Sequence, residues 1–108
     1  MPLLIIHAAV LIDGQLVKGS MHAEAYYLAA EAGLLASLGV RSAAEFDPAV
    51  LTAALRQSRI VEGFLTSAGE FVDRSTARAI GLQARQLSPN LASTEARSED
   101  FKGQLQAS

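Results

Sequence analysis

The residues able to do chemistry in this chain gather between positions 59 and 78. The run Glu62-Gly63-Phe64-Leu65-Thr66-Ser67-Ala68-Gly69-Glu70-Phe71-Val72-Asp73-Arg74 sets two aromatics either side of a tight polar turn. Arg59, Arg74 and Arg78 supply cations around it. If Arg74 opens a helix, its guanidinium and the free N–H groups of the first turn form an anion pocket, because the helix dipole and the unpaired donors both favour phosphate there. Guanidinium adds bidentate bonding to phosphate, and Phe64 or Phe71 offers a face on which a purine stacks. The plainer reading of the same residues pairs Arg74 with Glu70 or Asp73 and places both phenylalanines in the core. His22, at the start of a predicted helix, is the other reactive side chain. With Glu24 or Glu62 it would make an acid–base pair, whereas its structural reading is a first-turn residue bonding locally.

Metal and covalent chemistry find poor material. The chain has two histidines and no cysteine, which leaves no zinc thiolate site, disulfide or cysteine nucleophile. Gly63 and Gly69 are single hairpin glycines, not a phosphate-binding loop or a nucleophile elbow. The expectation is a non-enzymatic protein without metal or cofactor. Nine Lys and Arg against eleven Asp and Glu give a formal charge of -2, which argues against a polymeric nucleic-acid partner. Leu3 to Ile12 is apolar but too short to span a bilayer, so it reads as a buried strand and no membrane partner is expected.

The elements that must position these residues are set by punctuation and period. Leu3–Ile12 ends at Asp13-Gly14, the signature of a two-residue hairpin turn, and Gln15–Lys18 returns. Ser20 is the expected N-cap of a helix from Met21 to Leu38, with Gly39 closing it. Ser42-Ala43-Ala44-Glu45 has the form of a capping box, and Asp47-Pro48 starts a short helix to about Ser58. Arg59–Leu65 and Phe71-Val72 make the second hairpin. Ala77, Ile80, Gly81, Ala84 and Leu87 then form one stripe of a last helix, ended by Ser88-Pro89-Asn90. The expected fold class is α+β: two β-hairpin-plus-helix units forming an antiparallel sheet with helices on one face. Residues 1–90 are the expected domain, and 91–108 a polar C-terminal tail, loosely ordered alone or packed on a partner. The alanine-rich core is thin and favours burial against another subunit.

The run from Glu62 to Arg74, with Ala77 and Ile80 after it, resembles the "GF-x-T-x-x-G-x-F-V-x-R-x-x-A" signature of small phage proteins. The N-terminal hairpin with His22 soon after its final Gly resembles their layout too. The family it resembles is the first type of Thoeris anti-defence protein, which sequesters cyclic ADP-ribose isomers made by bacterial TIR-domain proteins. The resemblance implies a host-cytoplasmic binder that does not cleave its ligand, assembly into homodimers or larger oligomers, and in some members binding of cyclic oligonucleotides. By position it implies His22, Phe64, Phe71 and Arg74 as ligand contacts, to which the residue reading adds Arg78. Where the family carries Arg before the motif's second Phe and before His, this chain carries Glu70 and Met21, two fewer cations beside a diphosphate.

Overall fold

In the computed structural model, which describes residues 3–89, 95–101 and 103–107, Asp13 (φ 47°) and Gly14 (φ 85°) both adopt left-handed backbone. That is the geometry of a two-residue hairpin turn whose twist matches its strands. It joins β1 (Ile5–Ile12) to β2 (Gln15–Gly19). The second hairpin joins β3 (Ile60–Thr66) to β4 (Phe71–Val72), with the Thr66 hydroxyl accepting from the Ala68 and Glu70 amides inside the turn. The hairpins meet through antiparallel β1–β3 pairing, giving one sheet in the order β2-β1-β3-β4. The continuous apolar run of β1 is thus explained by its central position.

Register decides which side chains face the helices. Directly opposed residues share a face, and the ladder pairs Ile12 with Ile60, Val10 with Glu62, and Ala8 with Phe64, which in turn faces Val72. Over this face lie α1 (His22–Glu31), α2 (Pro48–Arg56) and α3 (Arg74–Gln83). One cluster packs Val10, Ile12 and Ile60 against Ala25, Ala29 and Ala30 of α1 and Ala54 of α2. The other packs Ile5, Ala8 and Phe64 against Ala77 of α3. The fold is the expected α+β architecture, with an antiparallel sheet and its helices on one face. The opposite face is partly open: Leu16 and Val61 are 46% and 40% exposed.

The caps show how the sequence sets helix starts. Asp47 accepts from the Ala49 amide at 2.9 Å with Pro48 at the first helical position, and Asp73 accepts from the Thr76 amide at 2.7 Å. Ser20 is not a cap: Met21 occupies that position, and Glu24 instead accepts from the Ser20 amide at 2.9 Å. In the same way Glu45 accepts from the Arg41 amide rather than closing a box with Ser42.

Two helices are shorter than their patterns predict. α1 stops at Glu31 because Gly33 turns left-handed (φ 80°), with the Leu34 amide donating to Ala29 and the Gly33 amide to Ala30. That pair of bonds is a Schellman close, and the expected remainder to Leu38 becomes a short 3₁₀ turn, Ala36–Leu38, ended by Gly39. α3 stops at Gln83, where Arg85 (φ 60°) turns the chain so that Leu87 folds back onto Gly81.

The C-terminal segment also departs from expectation. The 90/91 boundary of the expected tail lies outside the described residues. The described part beyond it packs back on the domain, with Ala96, Phe101 and Leu105 joining the second core cluster. Phe101 is fully buried, its ring 5.3 Å from that of Phe64. The Ala96 amide donates to the Arg74 carbonyl, and the Gln106 amide to Ile6 where β2 has already ended. The segment therefore completes the core above Phe64.

Candidate functional site

Position 62 is a carboxylate on a strand whose neighbours at 60 and 64 face the core, so register sends Glu62 inward, into the gap between α1 and α3. Its charge is answered from both sides. Arg74, the first residue of α3, donates from Nη2 to Glu62 Oε1 at 2.5 Å. The Tyr26 hydroxyl, from α1, donates to Glu62 Oε2. The Glu62 and Arg74 side chains are 17% and 30% exposed, so the pair is shielded but reachable. The carboxylate is thus compensated from both sides, and its ion pair with Arg74 keeps partial contact with solvent. Burial, reinforced by the bond to Glu62, raises the Tyr26 pKa, so its phenol stays a protonated donor.

His22 stands one turn before Tyr26, on the same face of α1. Its Nε2–H donates at 2.8 Å to the carbonyl of Gly63, which lies beyond the last β3–β4 pair at Phe64 and Val72. The ring meets Phe64 edge-on at 5.0 Å. Burial holds its pKa below the ordinary histidine value, with the Gly63 bond and Glu62 opposing that shift and Arg74 adding to it. The imidazole is therefore a neutral donor locked on backbone. Among the described residues no group of three or more His, Asp or Glu is placed to hold a metal ion.

Of the residues singled out from sequence, His22 and Arg74 converge on the Glu62–Gly63 step. Phe64 lies beneath them, fully buried between His22 and Phe101. Arg78 follows Arg74 by one turn of α3. The Nε atoms of both arginines are buried and have no hydrogen-bond partner among the described residues. Phe71 is held apart by the sheet: it pairs with Leu65 on the opposite face and lays its ring against Gly63 from that side. The first-turn N–H groups of α3 are partly taken, because Asp73 already binds the Thr76 amide, a bond that also lowers the Asp73 pKa. Any anion here would be held by guanidinium rather than by the helix end.

Sequence reasoning assigned Arg74 local partners, Glu70 or Asp73, where the structure pairs it with Glu62. It passed over Tyr26 as well. Both signals were present, since Tyr26 is four residues after His22 and Glu62 shares strand parity with Phe64.

The family model described as phage T4 y16D protein matches residues 5–102 of the 108, through both hairpins, all three helices and Phe101. No curated protein matches the chain, and no solved structure does. Among the described residues no helix is long and apolar enough to cross a membrane.

Proposed function

The chain belongs to the phage T4 y16D protein family, and from that premise we propose a non-enzymatic phage anti-defence protein that binds and sequesters a cyclic nucleotide immune signal in the host cytoplasm. The ligand is a cyclic ADP-ribose isomer of the Thoeris type, with cyclic oligonucleotides as the related class. The observation that carries this reading is the Arg74–Arg78 pair one turn apart on α3, with both Nε atoms buried and unpartnered among the described residues. Two guanidinium groups one helical turn apart suit a diphosphate, which accepts several charge-assisted bonds at once. The sequence motif that ends at Arg74 supports the same ligand class. Titration calorimetry with cyclic ADP-ribose isomers and cyclic di- and trinucleotides tests it. Absence of both heat and thermal shift with every one of them overturns the reading, and cleaved ligand after long incubation overturns its non-enzymatic part.

Arg74→Ala is expected to weaken binding by about 10-fold or more, the scale of a lost charge-assisted hydrogen bond. The melting temperature should fall by only a few degrees, because a partly exposed ion pair contributes little to stability. A large drop in melting temperature with unchanged affinity would make Arg74 a structural residue alone.

The open face of the sheet favours a second feature of the reading, association with another chain. Leu16 and Val61 stand exposed there, and exposed apolar patches on sheets mark contact surfaces. We expect light scattering to give a homodimer or larger; a clean monomer removes self-association. An inhibitor of a host defence protein would use the same face. A host protein retained in stoichiometric amount, with no nucleotide, would favour that alternative.

A further inference from the structure

Beside the reactive cluster, and sharing Tyr26 with it, α1 borders a second feature. There Ala23, Tyr26 and Tyr27 face Ala43, Phe46 and Leu51 across an open slot of about 450 Å³. That volume lies within the ~300–1,000 Å³ range of small-molecule pockets. The alanines on both walls leave the space, and three aromatic rings shape it. Tyr26 and Phe46 are 5.8 Å apart between centroids at 50°. Tyr27 is 55% exposed, which is a large aromatic surface left in water. Among the described residues no charged side chain lines the slot.

We propose that this slot is a stacking site for an uncharged, planar heteroaromatic ring, a nucleobase in the first instance. Three features select a flat ring over an aliphatic chain or an ion. Three of the six lining side chains are aromatic, and the exposed Tyr27 ring among them is a surface on which a ring stacks in offset or edge-on geometry. The Tyr26 ring is held beforehand, because its hydroxyl is bound to Glu62, so a ligand loses little to ordering it. The described lining carries no counter-charge, so the anionic part of a ligand must lie elsewhere. Glu62 in turn binds Arg74, so a ring in the slot is one tyrosine and one carboxylate away from the guanidinium pair. Specifying a nucleobase rests on the nucleotide reading above; the slot's preference for a planar ring stands without it.

The chain has two tyrosines and no tryptophan, and both tyrosines line the slot; the ring-proton NMR signals of Tyr27 report on the slot, while those of Tyr26 also respond to its partner Glu62. Adenosine, a base without phosphate, should shift both tyrosine ring systems. Tyr27→Ala, at an exposed position, should retain the parental melting temperature and weaken adenosine by roughly 10-fold, the scale of one stacking contact. Adenosine leaving both tyrosines unmoved at millimolar concentration overturns the proposal. So does a shift that Tyr27→Ala leaves equally strong, or tyrosine signals that move with protein concentration alone, which would put a second copy in the slot. Cyclic ADP-ribose binding with silent tyrosines would sink the slot and spare the sequestration reading. Adenosine shifts without any cyclic nucleotide affinity would do the reverse.

Discussion

Phe101→Ala is expected to destabilise the protein by about 3–5 kcal/mol, the range for deleting a fully buried phenylalanine ring. Phe101 lies in the C-terminal segment yet has no exposed surface, packs on Phe64, and shares a cluster with Ile5, Ala8, Ala77, Leu87 and Leu105. The core it completes is otherwise rich in alanine, so few neighbours have atoms to spare for filling the void. Domains of this size hold only about 5–15 kcal/mol in total. The variant should therefore melt roughly 12 °C or more below the parent. Thermal unfolding followed by circular dichroism measures this directly. A change of one or two degrees would mean that the segment is a detachable tail. Loss of Phe101 also uncovers one side of Phe64, which supports His22, so binding should weaken along with stability.

The membership of the C-terminal segment in the core was not legible because the segment has no period. Ala96, Phe101 and Leu105 are spaced five and four apart among Ser, Gln, Glu and Lys, a pattern that matches neither a helix stripe nor a strand. Its burial comes from the exposed end of a cluster built by distant residues, which local reading cannot weigh. The hairpin turns and the cap Asp47 were legible because each is set by hydrogen bonds between near neighbours. The length of α1 failed for the opposite reason: its apolar positions continue past Gly33, but a left-handed glycine with Schellman bonds outweighs them. The site was half legible. Arg74 and His22 were visible as types. Their shared partner, the Glu62–Gly63 step, required strand parity, and the removal of Phe71 to the other face required the Phe64–Val72 register.

Gly63→Ala is the second large effect expected, and it links that register to the site. A Cβ at position 63 would run into the backbone carbonyl oxygen of Val72 and come within 2.6 Å of Phe71 Cζ. The phenylalanine ring can turn aside, but the carbonyl belongs to the strand and cannot. β4 must then shift, and Asp73 and Arg74 come directly after it in sequence, so the cap of α3 and the guanidinium on Glu62 move with it. The Gly63 carbonyl that holds His22 would move as well. Overpacking of this kind costs about 1–3 kcal/mol, and here the displaced groups are the ones proposed to bind. The expected result is a lowered melting temperature together with loss of cyclic nucleotide binding. Phe71→Leu separates the two collisions: if the backbone contact governs, Gly63→Ala remains as damaging in that background. If instead Phe71→Leu restores both stability and binding to the Gly63→Ala chain, the ring is the only obstacle, and glycine at 63 serves the open face of the sheet and not the placement of Arg74.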